Sequence, residues 1–312
     1  MLKKRSIGAV VASIALAGSL VTAAPAIAAA VVSTKSAATG IPGVTCDFGA
    51  TGVTSSGQII KRAYRTSGGK GTITTTKYNP GRLPFVPRGI LPPGGVGGME
   101  AINESFYSNS TDGGFYSHSV VGRTGNNDVK VTTKRMAVTW GQTRLLVGSY
   151  GGPSTGGIYV YGLTDSGALG RYVFTGGTAP KNRVVVGNSG WKGVKTLQYD
   201  RPGKVPGTNR TADVLLATTA DGMLVEYTIP HDKPSQWSRK NLKTSTWGNF
   251  VHLSSATCGE YNKPNQPRML LGVQASGDVY LYLDKRNDDN SGADIVGYGR
   301  IATGWKEKIF KF

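Results

Sequence analysis

Short apolar runs broken by glycine recur along this chain, each too short for a helix and each followed by a second, aromatic-rich run. The pattern is clearest in LLVGSYGGPSTGGIYVYGL (145–163), VLLATTADGMLVEYTI (214–229) and MLLGVQASGDVYLYL (269–283). Their β-branched and aromatic residues, bounded by Gly and Ser, predict paired strands. VTCDFGAT, a Ser-Ser-Gly turn and QIIKRAYR repeat the pattern near the start, and AINESFYS, TDGG and FYSHSVV repeat it again. Aligned on the turn, the copies make Gly57, Gly113, Gly157, Gly222 and Gly277 equivalent. Between copies stand Trp140, Trp191, Trp247 and Trp305, separated by 51, 56 and 58 residues. A strand-rich unit repeating at this length predicts a propeller blade.

Five turns and four tryptophans predict an all-β, five-bladed β-propeller with four strands per blade. The copy without Trp falls where Asn79–Gly98 is dense in Pro and Gly, and LPFV is its expected strand. LPFV, TRLLV, VKTLQ, FVHLS and KEKIF are the expected inner strands. After Trp305 only KEKIFKF remains, and no first strand precedes Gly57. Closure therefore requires Lys306–Phe312 to complete the blade begun by residues 44–80, because an open ring leaves a sheet edge unpaired. The expected organisation is a signal peptide (1–28), a disordered leader (29–43) and one propeller domain (44–312).

The N-terminus changes the compartment. Lys3, Lys4 and Arg5, the apolar stretch from Ile7 to Val21 and Ala26-Ile27-Ala28 have the three parts of a cleaved secretory signal. The expectation is an extracellular, monomeric protein cleaved near Ala28, with no membrane span. Removing residues 1–28 takes away three cations and no acid, so 33 basic residues face 18 acidic ones and the net charge falls from +18 to +15. The cations are scattered over many strands, which predicts a generally basic surface and argues against a focused nucleic-acid groove. In an exported chain the pair Cys46 and Cys258 predicts a disulfide. The splice puts both on one face, Cys46 entering the shared blade and Cys258 leaving its neighbour.

The best blade, TWGNFVHLSS, MLLGVQASGDVYLYLD and GYGRIATGW, resembles those of the tachylectin-type five-bladed propellers, over residues 44–312. That resemblance implies a lectin binding N-acetylated sugars in one small site per blade. NRTADVLLATTADGMLVEY is similar to FG-GAP propeller repeats, but it lacks their acidic calcium loop. The blades are also longer than the compact tachylectin repeat, and SSATCGEYNKPNQP is an insertion after Leu253.

Sugar binding needs flat apolar faces and fixed hydrogen-bonding groups. Trp140, Trp191, Trp247, Trp305, Tyr161, Tyr227 and Tyr282 offer such faces, although a recurring aromatic equally serves to pack one blade on the next. Trp237 lies off the repeat and is a candidate for exposed contact. Asp288, Asn290 and Asp294 have oxygen ligands suited to calcium, and a solvated turn explains them as well. No other metal and no cofactor is expected. Among the expected inner strands only Glu307 is acidic, and there is no nucleophile elbow or phosphate loop, so no catalytic site is found. The expected function is non-catalytic, multivalent binding of cell-surface or wall glycans, including anionic wall polymers. The alternative is a secreted scaffold binding a protein or an anionic polymer through its basic surface.

Overall fold

Along the strands buried and exposed residues alternate, as in β2 (Cys46–Val53), so each sheet has faces to bury and must stack on a neighbour. The computed structural model describes residues 33–94, 101–123, 128–149, 152–153, 156–259 and 265–311. The expected signal peptide, 1–28, lies outside the described residues. Five antiparallel sheets form the five blades of a β-propeller.

Blade 1 combines β1 (Ser33–Thr39), β2, β3 (Gln58–Ser67) and β4 (Lys70–Arg82) with β21 (Ile309–Lys311). Blade 2 holds β5 (Gly89–Gly94), β6 (Ala101–Asn109), β7 (Phe115–Arg123) and β8 (Lys130–Ala137). Blade 3 holds β9 (Thr143–Gly148), β10 (Ile158–Thr164), β11 (Leu169–Phe174) and β12 (Lys181–Gly187). Blade 4 holds β13 (Val194–Lys204), β14 (Thr211–Thr219), β15 (Leu224–Pro230) and β16 (Ser238–Lys243). Blade 5 holds β17 (Phe250–Thr257), β18 (Arg268–Gln274), β19 (Val279–Asp284) and β20 (Ile295–Ala302). The inner strands are β21, β5, β9, β13 and β17.

The ring closes as the sequence predicts. β21 pairs with β2 through Thr51↔Lys311, Gly52↔Phe310 and Val53↔Ile309. Cys46 and Cys258 form a disulfide that joins blades 5 and 1 on one face of the ring. The opposite face carries the tryptophans.

Each tryptophan is fastened to the turn between the second and third strands of the preceding blade. The backbone N–H of Trp140, Trp191, Trp247 and Trp305 donates to the carbonyls of Gly113, Gly167, Gly222 and Gly277, at 2.8, 3.4, 2.9 and 3.0 Å. Leu83 donates to Gly57 O at 2.9 Å and is therefore the fifth copy, with leucine in place of Trp. This corrects the register of blade 3: Gly167, not Gly157, is the repeat glycine. All five turn glycines have φ between +79° and +94°, where a side chain is strained.

Two further expectations change. The inner strand of blade 2 is β5 and not LPFV. GILPPG reads poorly as a strand, yet its inner edge has no ladder partner, and a register shift between Leu91 and Gly94 takes up Pro92 and Pro93. Residues 33–39 of the expected disordered leader form β1, an outer fifth strand paired with β4 from Ser33↔Thr76 to Thr39↔Lys70. Ile41, fully buried against blades 5 and 1, anchors it, and its N–H donates to Thr66 Oγ1 at 2.8 Å.

Candidate functional site

The five inner strands surround a channel on the ring axis, with a cavity of about 230 Å³. At about 30 Å³ per water it has room for roughly seven waters, or one small ligand. Ile90, Leu145, Leu197, Val251 and Ile309 give its wall apolar patches. The polar wall is concentrated on two adjacent strands: Thr196, Gln198 and Tyr199 of β13, and His252, Ser254 and Ser255 of β17.

Strand alternation sets these groups in place. Gln198 reaches from blade 4 to blade 5, where its Oε1 accepts the Ser255 N–H at 3.1 Å. Ser255 Oγ donates to Asp200 Oδ1 at 2.7 Å. Thr196 and Thr218 hydroxyls bond at 2.9 Å. Gln198 Nε2 and Ser254 Oγ lie buried in the wall with no hydrogen-bond partner among the described residues. Burial pulls the His252 imidazole down to about 4, so the ring is neutral near neutral pH.

A buried ionic cluster backs these two strands. Arg268, from blade 5, bonds Asp200 at 2.6 Å and also pairs with Glu226 and Asp284. Arg201 holds Glu226 with two bonds of 3.0 Å. Burial raises the Asp200 carboxyl, but Arg268 and Arg201 together outweigh it and hold the group below its ordinary range. Burial dominates at Asp284 and lifts it to about 6 despite Arg268.

At the Trp-face mouth, cations at the start of inner strands reach across to the next blade. Arg88 bonds Gly141 O and also Asp165 Oδ1, the latter at 2.6 Å. Arg144 gathers the carbonyls of Trp191, Lys192 and Val194 at 3.3, 3.3 and 2.7 Å. Lys195 donates to Gly248 O. Blade 5 has Val251 at this place, 37% exposed, so the seam with blade 1 has no such latch. Glu307, the one acid expected near the axis, accepts from Arg62 at 2.6 and 3.0 Å and lies outside the channel wall. No carboxylate lines the cavity among the described residues.

The structure scatters the aromatic candidates between blades. Trp140, Trp191, Trp247 and Trp305 are each at most 4% exposed and present no open face. Trp140, Trp191 and Trp247 pack on Tyr172, Tyr227 and Tyr282 of the third strand of the following blade, at 4.7, 4.2 and 4.6 Å between ring centres. Trp305 has Arg62, on β3, over its ring at 5.1 Å. Tyr161 is buried and donates to Asp213 Oδ2 at 2.6 Å. Trp237 is half-buried, stands edge-on to Trp191 and donates to Val186 O at 3.1 Å.

The calcium candidates also diverge. Asp288 Oδ1 accepts the Asn265 N–H at 3.0 Å, Asp294 turns toward Arg286 at 3.5 Å, and Asn290 is exposed. No group of three or more His, Cys, Asp or Glu suited to a metal ion occurs among the described residues. The channel groups were not identified from the sequence. A legible trace was the cation four residues after Trp140 and Trp191, at Arg144 and Lys195.

No family model and no curated relative matches this chain. Among solved structures it is similar to the BP39L lectin from Burkholderia pseudomallei, at 13% identity and a TM-score of 0.44, covering 88% of this chain and 70% of that one. AofleA from Arthrobotrys oligospora is similar at 12% identity and a TM-score of 0.41, covering 84% and 76%. Aleuria aurantia lectin, in complex with alpha-methyl-L-fucoside, is similar at 12% and 0.43, covering 85% and 80%.

Proposed function

We propose that this propeller is an exported, non-catalytic carbohydrate-binding protein and that its axial channel is the binding site. The observation that carries this reading is the wall of β13 and β17. Hydroxyl, amide and neutral imidazole groups alternate there with apolar patches, the mixture that a polyhydroxylated ring with apolar C–H faces requires. The absence of lining carboxylates among the described residues leaves the wall without a general acid or nucleophile pair for glycoside cleavage.

The buried indoles carry no part of this reading. The channel offers one site per ring, so avidity for a surface would come from clustering of whole molecules. The basic n-region, apolar stretch and Ala26-Ile27-Ala28 support export, which N-terminal sequencing of the mature protein would check. The test of function is a glycan array at low and high salt with the mature chain and a Gln198→Leu variant. Binding to individual glycans that weakens in the variant and persists in part at high salt is expected. Binding only to anionic polymers, lost in salt and unchanged in the variant, would favour the basic scaffold instead. Silence on every glycan would sink the carbohydrate reading.

A further inference from the structure

The channel wall leaves two groups able to donate hydrogen bonds unused. Gln198 Nε2 can only donate, and its Oε1 is already taken by the Ser255 N–H. Ser254 Oγ is also unpartnered. Arg88 and Lys308, each immediately before one of the adjoining strands β5 and β21, complete the lining at the Trp-face mouth. Lys308 is exposed and makes no ion pair among the described residues. Arg144 and Lys195, at the same mouth, are bonded to carbonyls, so their charge is not cancelled by a bonded carboxylate. Asp165, bound to Arg88 and also acting on Arg144, is one carboxylate against four cations.

Donors without acceptors, in a wall free of carboxylates and behind a cationic mouth, complement an acceptor-rich anion. A neutral sugar can accept from these groups but brings no charge to set against Lys308. We propose that the channel selects acidic sugar units, the anionic substituent entering from the Trp face between Arg88 and Lys308 and accepting from Gln198 and Ser254. This rests on the carbohydrate reading above and names the class of sugar.

The test is isothermal titration of the mature protein with glucuronate, a sulfated hexose, glucose and inorganic sulfate, each at two salt concentrations. The acidic sugars are expected to bind at least about tenfold more tightly than glucose, with affinity falling as salt rises. Lys308→Glu, at an exposed position, should lower their affinity by about tenfold or more, a larger loss than for glucose. Gln198→Glu, which preserves the acceptor to Ser255 and removes the donor, should act in the same direction. A preference confined to glucuronate or to the sulfated hexose would assign the anion as carboxylate or sulfate. Equal binding of glucose and the acids would overturn the inference and leave carbohydrate binding standing. Inorganic sulfate bound as tightly as any sugar would overturn it too, because the sugar ring would then contribute nothing. If no probe binds, the acidic-sugar inference falls, and the glycan array decides whether the carbohydrate reading falls with it.

Discussion

Ring closure at the seam between blades 5 and 1 can be tested quantitatively. Replacing Cys46 and Cys258 by alanine removes a bridge that spans 212 residues of chain. For a loop of that length, loop-closure entropy gives the bridge about 5 kcal/mol as an upper figure. The seam's other contacts are Arg62 with Glu307, Arg62 over Trp305, and the apolar cluster around Phe48, Tyr64 and Leu271. β21 adds three residue pairs, and Val251 provides no cationic latch. These contacts act on the folded state, whereas the bridge acts chiefly on the unfolded one, so they do not substitute for it. The double variant should lose about 3–5 kcal/mol in urea unfolding, with a steeper denaturant dependence because its unfolded chain is more expanded. Reductant should bring the natural protein to the same midpoint and leave the variant unchanged. A loss below about 1 kcal/mol with an unchanged slope would refute the reasoning, since the unfolded chain would already keep blades 5 and 1 together.

His118 should make the protein acid-sensitive. Fully buried between Ser108 Oγ at 2.7 Å and Thr133 Oγ1 at 2.9 Å, it is pushed by burial from 6.5 down to about 4. Below 6.5 the unfolded chain takes up the proton first, so stability falls as pH drops toward 4, by about 3 kcal/mol at most. His252, also lowered by burial to about 4, adds to the fall. His118→Gln should therefore reduce it without removing it in melts across this range, and an unaltered slope would exclude His118 as a source. Asp284 opposes the trend, because its raised folded-state value stabilises at low pH and that contribution is lost as pH rises from 3.8 to about 6. At the blade 3 turn, Gly167 has φ +85° and an added Cβ would stand 2.6 Å from Lys192 N. Gly167→Ala should cost about 2 kcal/mol in a thermal melt. Gly193→Ala, with nothing within 4 Å, should be near neutral, and equal effects of the two would contradict the turn's role.

The repeat and its closure were legible because each blade must bury its faces on the next, which imposes the same Gly turn and the same large residue every time. The register of blade 3 was not, because apolar–Gly–aromatic text describes the hairpin of β9 and β10 as well as that of β10 and β11. Spacing separates them: the true turn glycines precede their Trp by 24 to 28 residues, and Gly157 precedes Trp191 by 34. Leu83, 26 residues after Gly57, fits the same rule without being Trp. β1 was missed because its polar text becomes a strand only when the edge of β4 pairs with it. The tryptophans were visible, but their burial depends on the tyrosine or arginine that the next blade supplies. Gln198 and Ser254 lie in VKTLQ and FVHLS, both expected as inner strands, but which of their residues line the channel is a property of the assembled ring.

The pairing of β21 with β2 also sets an order of events. Val53 waits for Ile309, about 250 residues further along the chain. At about 5–20 residues per second, a ribosome takes roughly 13–50 s to supply that partner. Until then the inner edge of β2 is an unpaired ladder, open to a strand from another chain. Cys46 must meanwhile remain a thiol until Cys258 arrives. The newborn protein is thus most exposed to mispairing at its first blade, and any factor that shields a growing chain would be needed there longest.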